Sequence, residues 1–373
     1  MPISCIYWQV ILRDFVKILP ETKIFTSRWI KDPRELENEL NIEVVGKLKV
    51  FKLGQKYGGY GSKFAYMSLK IVGRLLNYRP QLIFADTFCF WTLLILLTKP
   101  LGRWKVILAY EGSSPGVDYR NSFLRLLIRK AMIKMADASI TNTQAGKTYL
   151  VELGANQERV YAHPYFVPDV KFLQPPNSVN RSIERLEKQS HQKQPAFLFI
   201  GRLIPRKDIQ SLLEACVILK DRGYESYSLT IVGEGEQRSQ LETFCQQNNL
   251  SQISWEGQID YELVADYLHR ADILILPSIE DTWGMVVIEA ILAGKGIFCS
   301  QGAGASEIIA KAKNGYVFEP QDRKKLASLM QLAIDDPKSV LQMSQKSQEI
   351  ASQYIPTVAT EFLAKVAKTV VEQ

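Results

Sequence analysis

Residues Ile273–Ser300 read ILILPSIEDTWGMVVIEAILAGKGIFCS. An aliphatic run stops at Pro277, a short acidic loop follows, and Met285–Leu292 is then apolar almost all round except for Glu289. The closing GIFCS is another short β-rich run. Near-continuously apolar strands that alternate with helices belong to a parallel sheet covered on both faces. A helix that is apolar on every side has to be buried.

Outward from this stretch the alternation repeats. Strands are expected at Phe197–Gly201, Ser228–Gly233, Ile253–Gly257, Ile273–Pro277, Gly296–Ser300 and Tyr316–Pro320, with helices such as Ile209–Arg222 and Glu262–Arg270 between them. The first half shows the pattern less cleanly, at Thr22–Thr26, Lys47–Lys52, Gln81–Ala85, Lys105–Tyr110 and Ser139–Asn142. Gln174–Gln194 is polar and opens on prolines, which reads as an exposed connection with one short helix around Ile183–Lys188. The expected fold is therefore α/β: two Rossmann-like, doubly wound parallel-sheet domains facing each other across a cleft. Their spans are 1–173 and 195–354, with a linker at 174–194 and a carboxy-terminal helix at 355–373 that can pack back on the first domain. Ligands of such sheets bind at the carboxyl ends of the strands.

The 373-residue composition, 46% hydrophobic and 23% charged, excludes a disordered tail, a coiled coil or a collagen-like repeat. Cys5, Cys89, Cys216, Cys245 and Cys299 lie far apart with no CxxC, which speaks against a zinc site or a disulfide framework and suits a reducing cytosol. His163, His191 and His269 are scattered and suggest no metal cluster. A formal charge of +7 points to anionic partners. No aromatic-plus-basic module marks a nucleic-acid binder. Arg13, Asp14 and Lys17 interrupt the apolar residues at the start, so no signal peptide is expected. The most apolar run, Phe88–Leu97, falls short of the ~20 residues of a spanning helix and reads as a buried helix or an interfacial membrane contact.

Chemistry concentrates in the second half. GRLIPRKD, Gly201–Asp208, follows a strand and sets Arg202 and Lys207 in a loop at the carboxyl edge, where two cations would suit a diphosphate; the plainer reading is two solvated charges. Glu289 is a carboxylate in an otherwise dry helix, to be met by a ribose diol or by a core salt bridge. The N–H groups near Gly284–Val286 begin that helix, a place that favours phosphates. In IVGEGEQRSQLE, Ile231–Glu242, Gly233 and Gly235 allow a tight turn and close backbone approach. SQGAGASEII, Ser300–Ile309, is a further strand-to-helix loop of this kind.

Taken in order, GRLIPRKD, IVGEGEQRSQLE, ADILILPSIEDTWGMVVIEAILAGK and NGYVFEP make Phe197–Pro320 resemble the nucleotide-sugar-binding half of the retaining GT-B glycosyltransferases, the glycosyl transferases group 1 family. The resemblance implies that Arg202 and Lys207 hold the donor diphosphate and stabilise the leaving group, and that Glu289, second acid of the family's E-x7-E element, holds the ribose. Asp281 matches the first acid, which faces the transferred sugar; it is Asp where the family has Glu, and Glu280 beside it is a substitute. Gly201, Gly233 and Gly235 fall in the donor loops, and Trp283, Gly284, Met285 and Val286 match the turn that addresses sugar and phosphates. A cationic pair and a helix start would stabilise charge on a departing diphosphate, and the chain has no D-x-D triplet, so metal-independent transfer without cofactor is expected.

The family's first half binds the acceptor. RPQLIFAD, KVILAYEG and MADASITNTQAGKTYLVELGA resemble it more thinly. The glycine-rich loop that usually follows a first strand is missing, and IYWQVILRDFVKILP reads as the helix that comes after it, so the chain is either short at its start or does without that loop. Glu111 stands where many relatives carry a histidine; it would hold a sugar hydroxyl or stabilise positive charge, unless it merely faces solvent. Asn121–Ala136 has four cations and no acid beside a wide apolar side, which either faces the core or lies on anionic lipid. With Lys63, Lys70, Arg74 and Arg79 it makes the first domain basic. The leading expectation is thus a UDP-dependent, retaining hexosyltransferase, cytoplasmic or peripheral on the inner membrane face, acting on a lipid-linked or polysaccharide-precursor hydroxyl. A soluble small-molecule acceptor and a catalytically silent nucleotide-sugar-binding partner are the alternatives.

Overall fold

The computed structural model describes residues 6–28, 39–47, 49–52, 63–169 and 194–373; the expected connection Gln174–Gln194 lies outside them but for its last residue, as do Cys5 and His191. The chain divides into two compact units, Met1–Asp169 with Ile355–Gln373, and Val170–Tyr354.

Among the described residues, the second unit carries six strands. Numbered along the whole chain, they follow eight in the first unit: β9 (Ala196–Ile200), β10 (Ser228–Val232), β11 (Ile253–Gly257), β12 (Ile273–Leu276), β13 (Gly296–Ser300) and β14 (Gly315–Phe318). All neighbours are parallel. Their spatial order is β11-β10-β9-β12-β13-β14, so the order reverses between β9 and β12. Such a reversal sends the two following helices to opposite faces and opens a crevice at the carboxyl ends of the two strands. Asp272 fixes the junction: its N–H donates to Ala196 O at 2.8 Å, and its Oδ2 accepts from Ala196 N at 2.9 Å.

The central strands β9, β12 and β13 read as apolar runs because both faces are covered, while the edge strand β11 alternates half-buried and exposed residues. Phe197, Phe199, Ile273, Ile275 and Phe298 pack with Leu212, Cys216 and Leu219 of the Ile209–Asp221 helix and with Leu326 and Met330 of the Arg323–Asp335 helix. Each such side chain contributes about 1.5–3 kcal/mol by leaving water. The Met285–Leu292 helix is buried at Val287, Ile288, Glu289, Ala290 and Ile291, as its composition requires. Each strand expected in this half forms, with ends shifted by no more than two residues.

The first unit holds β1 (Ile24–Thr26), β2 (Ile42–Val44), β3 (Lys49–Lys52), β4 (Lys63–Tyr66), β5 (Leu82–Asp86), β6 (Lys105–Tyr110), β7 (Ala138–Thr141) and β8 (Val160–Ala162). β5-β6-β7-β8 form a parallel sheet, β1 and β2 a parallel pair, and β3 and β4 an antiparallel pair. That last pair departs from the all-parallel expectation. Ile6–Ile18 is helical, as its spacing predicts, and it packs against Pro356–Glu372 within the same unit, with Thr360 Oγ1 reaching Ile11 O at 3.5 Å. The run around Phe88–Leu97 becomes the Phe90–Gly102 helix, with Trp91, Thr92, Ile95 and Leu96 buried. Leu97 stays 58% exposed, so the buried-helix reading holds for only one side of it.

Candidate functional site

Four loops leave the carboxyl ends of β9, β10, β12 and β13, and backbone hydrogen bonds stitch them side by side. Leu203 N donates to Glu234 O at 2.9 Å and Gln237 N to Leu203 O at 3.1 Å, joining the first two. Ile279 N and Glu280 N both donate to Arg206 O, at 2.9 and 3.3 Å, while Arg206 Nη1 donates back to Glu280 O at 3.2 Å. Asp281 N donates to Gly302 O at 2.8 Å, Gly304 N to Asp281 O at 3.0 Å and Ala305 N to Trp283 O at 2.7 Å. The candidate residues of these four loops thus share one rim around the β9/β12 reversal.

Glycine makes this stitching possible. A Cβ on Gly233, whose φ is +134°, would lie 1.9 Å from Gly201 O, and one on Gly235 would lie 2.2 Å from Leu203 O. These glycines, proposed for the donor, are first of all what lets two backbones touch. Gly302 does the same for the next pair, 2.2 Å from Ile279 O. Sequence reasoning noted its loop but not its role, nor the Arg206 clamp, since nothing in RLIPRKD separates that arginine from its two cationic neighbours.

Lys207 and Asp281 form an ion pair across this rim, Nζ to Oδ2, with side chains only 12% and 14% exposed. The two sequence-proposed roles, diphosphate cation and sugar-facing acid, therefore meet in one contact. Lys207 is not a solvated surface charge. Arg202 is exposed and has no ion-pair partner among the described residues. Gly201 N is held by Val232 O at 3.0 Å. Glu280 is half-buried and fixed through its backbone. Trp283 is buried, and Gly284 turns the chain into the helix at φ +89°, a conformation natural to glycine. Met285 and Val286 open the helix half-buried, with first-turn N–H groups that have no acceptor inside the helix. Glu289 is 3% exposed, one turn further in. Asp208 closes the β9 loop at φ 52°; burial raises its carboxyl above the ordinary value, against hydrogen bonding from Ser211.

Glu111 lies in the other unit, directly after β6, and is 8% exposed. It does not face solvent, which corrects the plainer reading. Asn142 Nδ2 donates to Glu111 O at 2.8 Å, and Asn142 Oδ1 accepts from Tyr165 N and Phe166 N at 2.9 and 3.0 Å. Asn142 thus gathers the segments after β6, β7 and β8 at the carboxyl edge of that sheet, a role no motif announced. Burial and the nearby Glu111 charge raise the Tyr165 phenol. Among the described residues, no group of three His, Cys, Asp or Glu side chains lies together as a metal site. No helix there is long and apolar enough to cross a membrane.

Comparison with known proteins fits this geometry. The model of the glycosyl transferases group 1 family matches residues 180–350, nearly all of the second unit. The second unit belongs to the glycosyl transferases group 1 family. An uncharacterized glycosyltransferase of Methanocaldococcus jannaschii is 29% identical over 34% of the chain, and glycogen synthase of Mycobacterium tuberculosis is 30% identical over 38%. The matched stretches span 35% and 34% of those relatives, about a third of their length. In fold, the chain is similar to the Anabaena protein HepE, crystallised with UDP, at TM-score 0.75 and 18% identity over 97% of this chain and 96% of that one. The fold class is GT-B: α/β, with parallel sheets in two domains. Within the group 1 unit, the stitched rim occupies the switch point where that class of sheet takes its ligand.

Proposed function

We propose that this chain transfers a hexose from a nucleoside-diphosphate donor, with uridine as the base, to a hydroxyl of a lipid-linked or polysaccharide-precursor acceptor, retaining the anomeric configuration and using no metal ion. The Lys207–Asp281 pair at the rim carries the reading. Breaking a sugar–phosphate bond leaves positive charge on the sugar and negative charge on the diphosphate. A diphosphate entering beside Lys207 competes for its ammonium, and Asp281, released, turns to the sugar hydroxyls. Arg202 supplies a second, two-pronged cation, and the N–H groups of Gly284, Met285 and Val286 add the positive end of a helix. Glu289 accepts from the ribose hydroxyls. For Glu111 the family resemblance supports holding a sugar hydroxyl or stabilising positive charge. HepE, crystallised with UDP and with UDP-glucose, supports uridine and a hexose as first candidates. The +7 charge supports an anionic, lipid-borne acceptor at a cytoplasmic membrane face.

Three outcomes are expected. In a thermal-shift screen a UDP-sugar raises the melting temperature more than GDP- or ADP-sugars, because a ligand of the native state alone stabilises it. Glu289→Gln weakens UDP-sugar binding about tenfold, or ~1.4 kcal/mol, with the melting temperature nearly unchanged. A large drop in melting temperature with intact affinity would instead assign Glu289 to the core. EDTA leaves transfer unchanged, and donor hydrolysis without acceptor distinguishes an enzyme from a silent binding partner.

A further inference from the structure

The Phe123–Met135 helix turns apolar residues both inward and outward. Met132 and Ile133 are buried against the unit's core. Arg129, on the same side, is half-buried and fixed: its Nη1 donates to Asp118 O and to Tyr149 Oη, both at 2.8 Å, and its guanidinium lies 4.6 Å from the Phe88 ring centre. At about 100° per residue, the opposite side carries Phe123, Leu124, Leu127 and Ile128. These are 82%, 65%, 54% and 41% exposed. Lys130 and Lys134 are exposed along one flank, and the helix contains no acid. The Phe90–Gly102 helix is tied to it by Lys99, whose Nζ donates to Met135 O at 3.0 Å and pairs with Asp137 at 2.7 Å, and that helix bears the exposed Leu97 and Leu101. A surface helix ordinarily shows water its polar side. Here buried Met132 and Ile133 and the half-buried, hydrogen-bonded Arg129 face the unit's core, and the apolar side stays out.

We propose that this face seats on an anionic lipid bilayer, with Phe123, Leu124, Leu127 and Ile128 entering the boundary between headgroups and acyl chains while Lys130 and Lys134 meet lipid phosphates. Charge decides the occupant. A second copy of the chain would set the same lysines against themselves, whereas an anionic leaflet offers each cation a counter-charge beside apolar depth. The proposal deepens the reading of a lipid-borne acceptor by naming the surface that brings the chain to it, and it stands without the donor site.

Flotation of the purified full chain tests it. The chain should rise with vesicles of phosphatidylcholine plus phosphatidylglycerol, less with phosphatidylcholine alone, and less again as salt is added. The double variant Phe123→Ser/Leu127→Ser should bind about tenfold or more weakly. Lys130→Gln/Lys134→Gln should lose the preference for anionic lipid. Both pairs are exposed, so circular-dichroism melting stays as in the parent. With Leu124→Trp, the new indole emission should shift to the blue on adding anionic vesicles. A chain that stays in the soluble fraction, a serine variant that floats like the parent, or a dimer that Leu127→Ser dissolves without any flotation would overturn the proposal. The melting response to UDP-sugars is read separately, so failure of the donor reading and failure of this one are distinguishable.

Discussion

Lys207→Ala should lower donor-dependent turnover about a hundred- to a thousandfold, the range found when one preorganised charge-stabilising group is removed. The ammonium is held at 12% exposure beside Asp281, so it is positioned before any donor arrives and has little reorganisation left to do. Its effect should fall mainly on kcat, because the diphosphate carries more negative charge in the transition state than in the bound sugar nucleotide. Asp281→Asn separates the two partners. It frees Lys207 for phosphate while removing the sugar contact, so donor affinity should hold or rise as turnover falls. Arg202→Ala should cost less, since that guanidinium is exposed and loses part of its pull to water. Steady-state and single-turnover kinetics on the three variants would check this ordering. Equal rates for Lys207→Ala and the parent would remove Lys207 from the chemistry.

Gly233→Ala should destabilise the second unit by about 4 kcal/mol, lowering its melting temperature by roughly 10 °C. Two costs add. The backbone sits at φ +134°, where an L side chain is strained, and the new methyl would meet Gly201 O at 1.9 Å, a backbone atom that cannot swing aside. The β10 loop would have to lift from the β9 loop and break the rim that presents Lys207. Gly223→Ala serves as the control. It has φ +83° but nothing within 4 Å of its new Cβ, so it should cost only about 1 kcal/mol. Denaturation followed by circular dichroism would compare the two; similar losses would show that the loop contact is softer than the geometry indicates.

The second unit was legible because its central strands β12 and β13 are buried on both faces and its strand-to-helix loops carry glycine or proline. Ile273–Leu276 has no polar residue to obscure its period, and the dryness of Met285–Leu292 forces it inside. The first unit was less so. Ile42–Val44 and Val160–Ala162 are three residues long, too short for a pattern to separate from a loop. The edge position of Glu111 followed from its place after a strand, but its burial depends on Asn142, a residue more than thirty positions away that joins the same edge through its amide. The Lys207–Asp281 pair spans 74 positions, so no local spacing could announce it. Phe123–Met135 shows a different limit. Its composition is apolar on a wide arc, and the packing of Met132 and Ile133 with the anchoring of Arg129 decides which part of that arc meets solvent.

A crystal structure of the chain with an intact UDP-sugar tests the central claim most directly. The account predicts the diphosphate on the rim of the second unit, its oxygens within hydrogen-bond reach of Lys207 Nζ and of the N–H groups heading the Met285–Leu292 helix, with Asp281 turned from Lys207 to the sugar. A donor seated elsewhere, with the Lys207–Asp281 pair intact, would contradict it.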